Sequence, residues 1–538
     1  MTYIAQNEGA AVRGSETTPL APPFLQRDLA RLPGPRRHLD RLERDLRAGL
    51  NCVWYFPDTV VESGRANFFL RELMSRLEES VQVPGSITSA EGSAHAAGLG
   101  TIAFPAQRSA SISPGSMPVR DLFDPWHEED DSFDADDPYG ALLDSLVATA
   151  TSSPVNPGTG TFTSQGTTTP ASLVDRLAKQ LGTVGAPLSE LLRRARRCRG
   201  GSHADDLDEM DDDSAPDSPP TVVVRGWEEH SAEEMGQLLR TAHATFREAG
   251  LPAERRPRFL FAARVQDLPS TVFGVGLSHS HVTMHWWWRV WTRLDTEVLL
   301  AWRPRPSATA AQALLDRVTD AVVAEVCGPD IDRALVLREV WKGGDVESLR
   351  RALAATLPDH ENDVDQKWPR RMSTAHASAP SAEILDAWAT GTVDSWDGHV
   401  RAVRARHLLD PGSNELRILV CNAQNRVLLP LIEEARTSLI ELVPDLLRKE
   451  IGLDYFREQA KSDYRVRNRL PAAPLAELEI GDLARAARLL ILPTNQQDRL
   501  KTLSKARNRL SHLQPLSQEE LVAVMEALTT DWVADDEA

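Results

Sequence analysis

The chain has 538 residues, 41% of them apolar, and a formal net charge of −18. That length allows roughly two to four domains, and the apolar share is slightly low for a chain compact throughout, which implies disordered length within it. The charge excludes a generic nucleic-acid binder, so any RNA contact must come from a local basic patch.

The start, Met1-Thr2-Tyr3-Ile4-Ala5-Gln6-Asn7-Glu8, lacks the basic-then-apolar pattern of a secretory signal, and residues 1–30 read as a flexible tail. A helix is expected from Pro35 or Arg36 to Ala48, closed by Gly49. Asn51-Cys52-Val53-Trp54-Tyr55-Phe56-Pro57 reads as a buried strand, and a helix with Phe68, Phe69, Leu73 and Leu77 follows a turn holding Ser63 and Gly64. Strand, glycine-containing turn and helix is the layout of a phosphate-binding loop. Its chemistry is missing. The turn reads Asp58-Thr59-Val60-Val61-Glu62-Ser63-Gly64-Arg65, with no lysine and two carboxylates, where G-x-x-x-x-G-K-[ST] is needed.

From about residue 84 to 220, Ser, Thr, Gly, Pro and Ala dominate, with acidic runs at 124–137 and 205–217. Residues 85–218 are expected to form a disordered insertion that cannot bury enough apolar surface to order itself. Two helical islets are expected within it, at 139–149 and 172–197. The Arg193-Arg194-Ala195-Arg196-Arg197 run reads as a solvated face or as a partner of the acidic segments, with nucleic-acid contact as the alternative.

Order resumes with a strand at Thr221–Arg225, then a helix capped by Ser231 and closed by Gly250, then an apolar strand from Arg258 to Val265. Strands alternating with helices imply a parallel sheet. The last of these strands sits where a P-loop enzyme carries its metal-binding acid, yet it ends in Ala263-Arg264, and Asp267 comes too late. Neither ATP hydrolysis nor a bound cofactor is expected. The Trp286-Trp287-Trp288-Arg289-Val290-Trp291 run reads as a buried hydrophobic anchor, with base stacking as the alternative. His279, His281 and His285 have a zinc-compatible spacing, but no cysteine or carboxylate accompanies them, and no metal is expected.

Residues 296–301 read as a strand, and helices are expected at 308–327, 331–341, 346–357 and 381–390. The region from about Arg31 to Asp410, without the insertion, loosely resembles the STAND-type NTPases, the signalling ATPases of bacterial conflict systems. With its phosphate-binding positions altered, that resemblance implies an inactive relative spanning 31–84 and 219–425. Leu416–Cys421 reads as one more strand, and from about Arg426 a long helix carries the stripe Leu428, Leu431, Ile432, Ala435, Leu439, Leu442, with a bend near Pro444. Four cysteines, Cys52, Cys198, Cys327 and Cys421, lie far apart without a C-x-x-C and read as free thiols of a cytoplasmic protein. No run approaches ~18 apolar residues, so no membrane span is expected.

Near the carboxyl end, residues 498–513 read as a helix whose Leu500, Leu503, Leu510 and Leu513 share one face. Lys501, Lys505 and Arg509 recur every four residues on another. Asn508 and His512 are also four apart, with Arg507 beside them. A new helix starts at Ser517 with Glu520 three residues on, a capping box. An arginine can hold a phosphate through paired hydrogen bonds, and a histidine can move a proton near neutral pH. Those parts suffice to cleave RNA without a metal. The last turn of a helix favours the protonated imidazole, which suits the acid role.

The run Arg507-Asn508-Arg509-Leu510-Ser511-His512 resembles the signature of the HEPN family (higher eukaryote and prokaryote nucleotide-binding domains), in an all-helical context at about residues 426–538. The resemblance implies a helical bundle. It also implies a metal-independent ribonuclease active as a homodimer that brings two motifs together, although some members only mediate contacts. Carried onto this chain, Arg507 and His512 would be catalytic, and Asn508, Lys505 and Arg509 would bind RNA. The expected architecture is therefore an α/β N-terminal domain with a parallel, degenerate P-loop-like sheet, a long insertion and an all-α C-terminal bundle. The expected function is that of a conflict- or defence-associated endoribonuclease of the toxin type, docked or regulated through the inactive sheet domain and through other conflict-system proteins. The competing reading is a non-catalytic adaptor whose bundle serves dimerisation or partner binding; a third is a regulator that binds nucleotide without hydrolysis.

Overall fold

The computed structural model describes residues 28–86, 171–198, 218–269, 282–302, 305–356, 373–403 and 406–532. Two compact units emerge. One comprises Arg41–Trp287 and Ala379–Thr390; the other comprises Met1–Asp40, Trp288–Ser378 and Gly391–Ala538. Helix α1 spans Pro33–Arg47, and the boundary between the units falls after Asp40.

The first unit is built on five parallel strands: β1 (Asn51–Tyr55), β2 (Ser80–Gln82), β3 (Thr221–Arg225), β4 (Arg258–Ala263) and β5 (Val282–Trp286), in the order β2-β3-β4-β1-β5. All residues of β1 and β4 are buried, which is why these segments read as unbroken apolar runs rather than alternating ones. The register aligns Cys52 with Leu260 on one side and with Thr283 on the other. Helices α2 (Asp58–Glu62) and α3 (Arg65–Met74) follow β1. Helices α4 (Leu173–Leu181) and α5 (Pro187–Arg197) precede β3, and α6 (Ala232–Glu248) follows it. Ser231 caps α6 by accepting from the Glu234 N–H, as its spacing predicts. The sequence reading missed β2, whose three residues are too few for a periodic signal. The helix expected at 172–197 is two helices, broken at Gly182 and Gly185, both with positive φ. The expected helix at 139–149 and both acidic runs lie outside the described residues.

The second unit is mainly helical: α7 (Arg293–Ala301), α8 (Ala310–Cys327), α9 (Ile331–Val340), α10 (Val346–Ala355), α11 (Glu415–Leu446), α12 (Leu453–Gln459), α13 (Asp463–Arg467), α14 (Ile480–Ala486), α15 (Thr494–Ser511) and α16 (Gln518–Leu528). Its core runs from Val318 and Val322 on α8 through Leu416, Val420 and Leu428 on α11 to Leu500, Leu503 and Leu510 on α15. So the helices over 308–357, expected as an extension of the sheet, share a core with the carboxyl-terminal ones.

Two expected strands are helical instead. Residues 296–301 belong to α7, whose start is fixed by a capping box between Thr292 and Asp295. Leu416–Cys421 forms the first turns of α11, where Leu416 and Val420 fall four apart on the buried side. A six-residue apolar run does not distinguish the two states by periodicity alone. One hairpin was not anticipated: β6 (Val393–Trp396) and β7 (His399–Ala402), joined by Asp397-Gly398, both with positive φ. No helix among the described residues is long and apolar enough to cross a membrane.

Candidate functional site

Helix α15 presents the expected motif at its carboxyl end. Leu500, Leu503 and Leu510 are fully buried, which fixes the rotation of the helix. Leu513 departs from the expected stripe. The helix stops at Ser511, and Leu513 takes a left-handed turn (φ 55°) and is 53% exposed. His512 is the residue after the last helical turn. Its backbone N–H is bonded to the carbonyls of Asn508 (3.2 Å) and Arg509 (3.1 Å), and its imidazole is exposed. Asn508 is exposed as well.

Arg507 is half-buried and points into a cleft of about 680 Å³, lined by Pro430, Glu433 and Arg436 from α11, Glu477 and Glu479 from the turn before α14, and Ser511. Its Nη2 lies 3.1 Å from Glu479 Oε2. The Ser511 hydroxyl donates to the Arg507 carbonyl at 2.8 Å. Ser511, one helical turn on from Arg507, lines the same cleft, whereas His512, past the last helical residue, does not.

The other two expected RNA contacts are engaged within the chain. Lys505 Nζ is 3.3 Å and Arg509 Nη1 2.9 Å from the same Glu520 Oε1, and Arg509 Nη2 donates to the Pro515 carbonyl. Partial burial would raise the Glu520 pKa, but the Ser517 N–H and these two cations hold it below the usual carboxylate range. The capping box between Ser517 and Glu520 forms as its spacing predicts.

The residues that hold this helix end in place escaped the sequence reading. Buried Gln424 on α11 donates to the Leu516 carbonyl (3.3 Å) and accepts from the Leu516 N–H (2.8 Å). Asn425 donates to the Leu510 carbonyl at 3.3 Å. Gln424 and Asn425 are polar amides within α11, in the stretch before Arg426 where the long helix was expected to begin. At the start of α15, Arg499 donates to the Ala527 carbonyl (2.6 Å) and lies 3.7 Å above the Trp532 ring; burial lowers its pKa to about 10.

A second locus lies in the sheet unit, at the carboxyl ends of β1 and β4, where open parallel sheets take their ligands. Asp58 opens α2 there, and Arg264 sits 3.8 Å from it and 2.8 Å from Asp267. Burial raises the Asp58 pKa; Arg264 opposes this, and Glu62 and Asp267 add to it. Three carboxylates around one guanidinium give a phosphate no net attraction. The tryptophans at the end of β5 and after it are buried: Trp286, Trp287, Trp288 and Trp291 are each at most 7% exposed. His285 Nε2 lies 3.0 Å from Asp45 Oδ2, while His279 and His281 lie outside the described residues. Among the described residues, no three His, Cys, Asp or Glu side chains gather at metal-binding range, and the four cysteines are free and buried.

No protein-family model, curated protein or solved structure matches the chain.

Proposed function

We propose that the helical unit is a HEPN-type, metal-independent endoribonuclease of a conflict or defence system, acting as a homodimer, with the sheet unit a STAND-like domain that no longer hydrolyses nucleotide. The observation that carries this reading is the exposed His512 imidazole at the end of the helix that also bears Arg507. Arg507 takes two non-bridging oxygens of a phosphate after Glu479 yields; an exposed pair of this kind is worth only about 0.2–1 kcal/mol. The ribose 2′-hydroxyl attacks the adjacent phosphorus, and the 5′-oxygen leaves. One His512 removes the hydroxyl proton, and its counterpart in the second copy protonates the leaving oxygen. Arg507 lines the cleft and His512 does not, and in this reading a second copy supplies the group that completes the pair. Purified protein incubated with RNA tests this directly: the double variant Arg507→Ala with His512→Ala loses cleavage, and retained cleavage removes the assignment.

A second reading has its own support. Lys505 and Arg509 are both committed to Glu520, and Glu433, Glu477 and Glu479 line the cleft. That surface also suits a non-catalytic adaptor, which would form oligomers or bind partner proteins yet degrade no RNA.

A further inference from the structure

The segment from Ser462 to Pro471 is a closed knuckle on the surface of the helical unit. Ser462 Oγ caps α13 by accepting from the Arg465 N–H (3.4 Å), Asn468 Nδ2 donates to the Tyr464 carbonyl (2.7 Å), and the Leu470 N–H donates to the Arg465 carbonyl (2.9 Å). Arg465 closes it by donating to the Pro471 carbonyl at 3.2 Å. This bonding presents outward an aromatic ring and two guanidiniums in a chain of net charge −18. Tyr464 is 66% exposed and Val466 57%. Arg467 and Arg469 are exposed, and among the described residues neither has a carboxylate partner; Arg467 donates only to the Asp463 carbonyl. Neighbouring cations of the same unit are paired, among them Arg457 with Asp454, Lys461 with Glu458 and Arg507 with Glu479. Arg469 also holds a left-handed backbone (φ 54°), a conformation glycine or asparagine adopts at less cost.

The knuckle adjoins the cleft. Arg465 Nη2 lies 3.7 Å from Glu477 Oε2, and Glu477 lines the cleft that holds Arg507. We propose that Tyr464, Arg467 and Arg469 form a landing site for single-stranded RNA beside the Arg507 cleft. The tyrosine ring stacks a base, and the two guanidiniums grip successive phosphates. An exposed aromatic face together with unpaired cations is the combination that single strands select; an acidic protein partner would use the arginines and leave the ring idle. This inference rests on the ribonuclease reading for its choice of ligand, but its test does not depend on cleavage.

The test uses the full chain and a fluorescein-labelled 2′-O-methyl oligouridylate, which cannot be cleaved through its 2′-oxygen, with binding read by anisotropy across a salt series. Arg467→Ala with Arg469→Ala is expected to weaken binding roughly tenfold and to make the log–log salt slope shallower by about 1.4, the single-strand value for two phosphate contacts. The Arg467→Lys, Arg469→Lys pair should keep the salt slope, which separates lost charge from lost fold. Tyr464→Ala should weaken binding where Tyr464→Phe does not. Wild-type affinity in the alanine variants, no binding by the wild type, or the same losses measured only on a polyglutamate peptide would overturn the proposal. Loss of binding here with cleavage unaltered in His512→Ala would remove the nuclease and keep the landing site; the opposite pair of results would do the reverse.

Discussion

Arg507 Nη2 lies 3.1 Å from Glu479 Oε2, so the guanidinium proposed above to take a phosphate is held by a carboxylate in the chain alone. Both side chains are solvent-accessible, 36% and 60%, so the pair contributes little to stability and yields readily to a stronger ligand. Glu479 also begins α14, with its N–H donating to Asp482 Oδ2 at 3.1 Å. Glu479→Gln keeps an amide in place but drops the charge. It is expected to raise RNA cleavage at limiting RNA by up to about fivefold, with a gain that narrows as salt rises. Initial rates at two salt concentrations check this; an unchanged or lower rate counts against Glu479 as a competitor of phosphate.

Leu503 is fully buried between α15 and the rest of the helical core, while Asn508 on the same helix faces solvent. Leu503→Ala is expected to cost on the order of 2–5 kcal/mol, as large-to-small core changes do. Asn508→Ala is expected to stay within about 0.5 kcal/mol. Urea unfolding of both variants checks the contrast. Equal midpoints would mean that this face of α15 is not core.

Asp394 gives the helical unit a pH dependence of definite sign. Its carboxylate accepts from the N–H groups of Ser395 (2.7 Å) and Arg289 (3.3 Å), and Arg401 is its cross-strand neighbour. Burial nonetheless pushes its pKa up to about 7, against a value of about 3.9 in an unfolded chain. The folded state therefore holds the proton more tightly. That contribution is complete below about pH 4 and is lost as pH rises through about 7. Asp394→Asn removes it while keeping an acceptor for both N–H groups. The melting temperature of the wild type minus that of the variant should fall between pH 5 and pH 8. A difference that is flat or rises would show that Asp394 is ionised throughout.

At the carboxyl ends of β1 and β4, Asp58, Glu62 and Asp267 surround the single Arg264. Magnesium-ATP is expected to give no phosphate release, no heat on titration and no shift in melting. Measurable binding without turnover would instead favour a nucleotide-sensing role for the sheet.

How legible was all this beforehand? The long buried strands, the caps at Ser231 and Ser517 and helix α15 were plain, because each rests on local chemistry that packing does not override. The two misread segments, 296–301 and 416–421, are short apolar runs whose state was decided by neighbours: the Thr292–Asp295 box in one case and the buried Leu416–Val420 face in the other. The β6–β7 hairpin had a usable signal in Asp397-Gly398 that went unread. Around the motif, spacing placed Arg507, Asn508 and His512 on one helix end. It did not foresee that Glu479 and Glu520, one before α14 and the other on α16, would claim Arg507, Lys505 and Arg509. Ion pairs between distant elements leave no periodic trace in a sequence.

The most direct measurement incubates purified wild type and His512→Ala with a defined RNA in excess EDTA and analyses the ends of the fragments. The account predicts that the wild type cuts with chelator present, leaving 2′,3′-cyclic phosphate and 5′-hydroxyl ends, and that His512→Ala cuts at least about a hundredfold more slowly. Cleavage abolished by EDTA, or an equal rate in the His512→Ala protein, would contradict it.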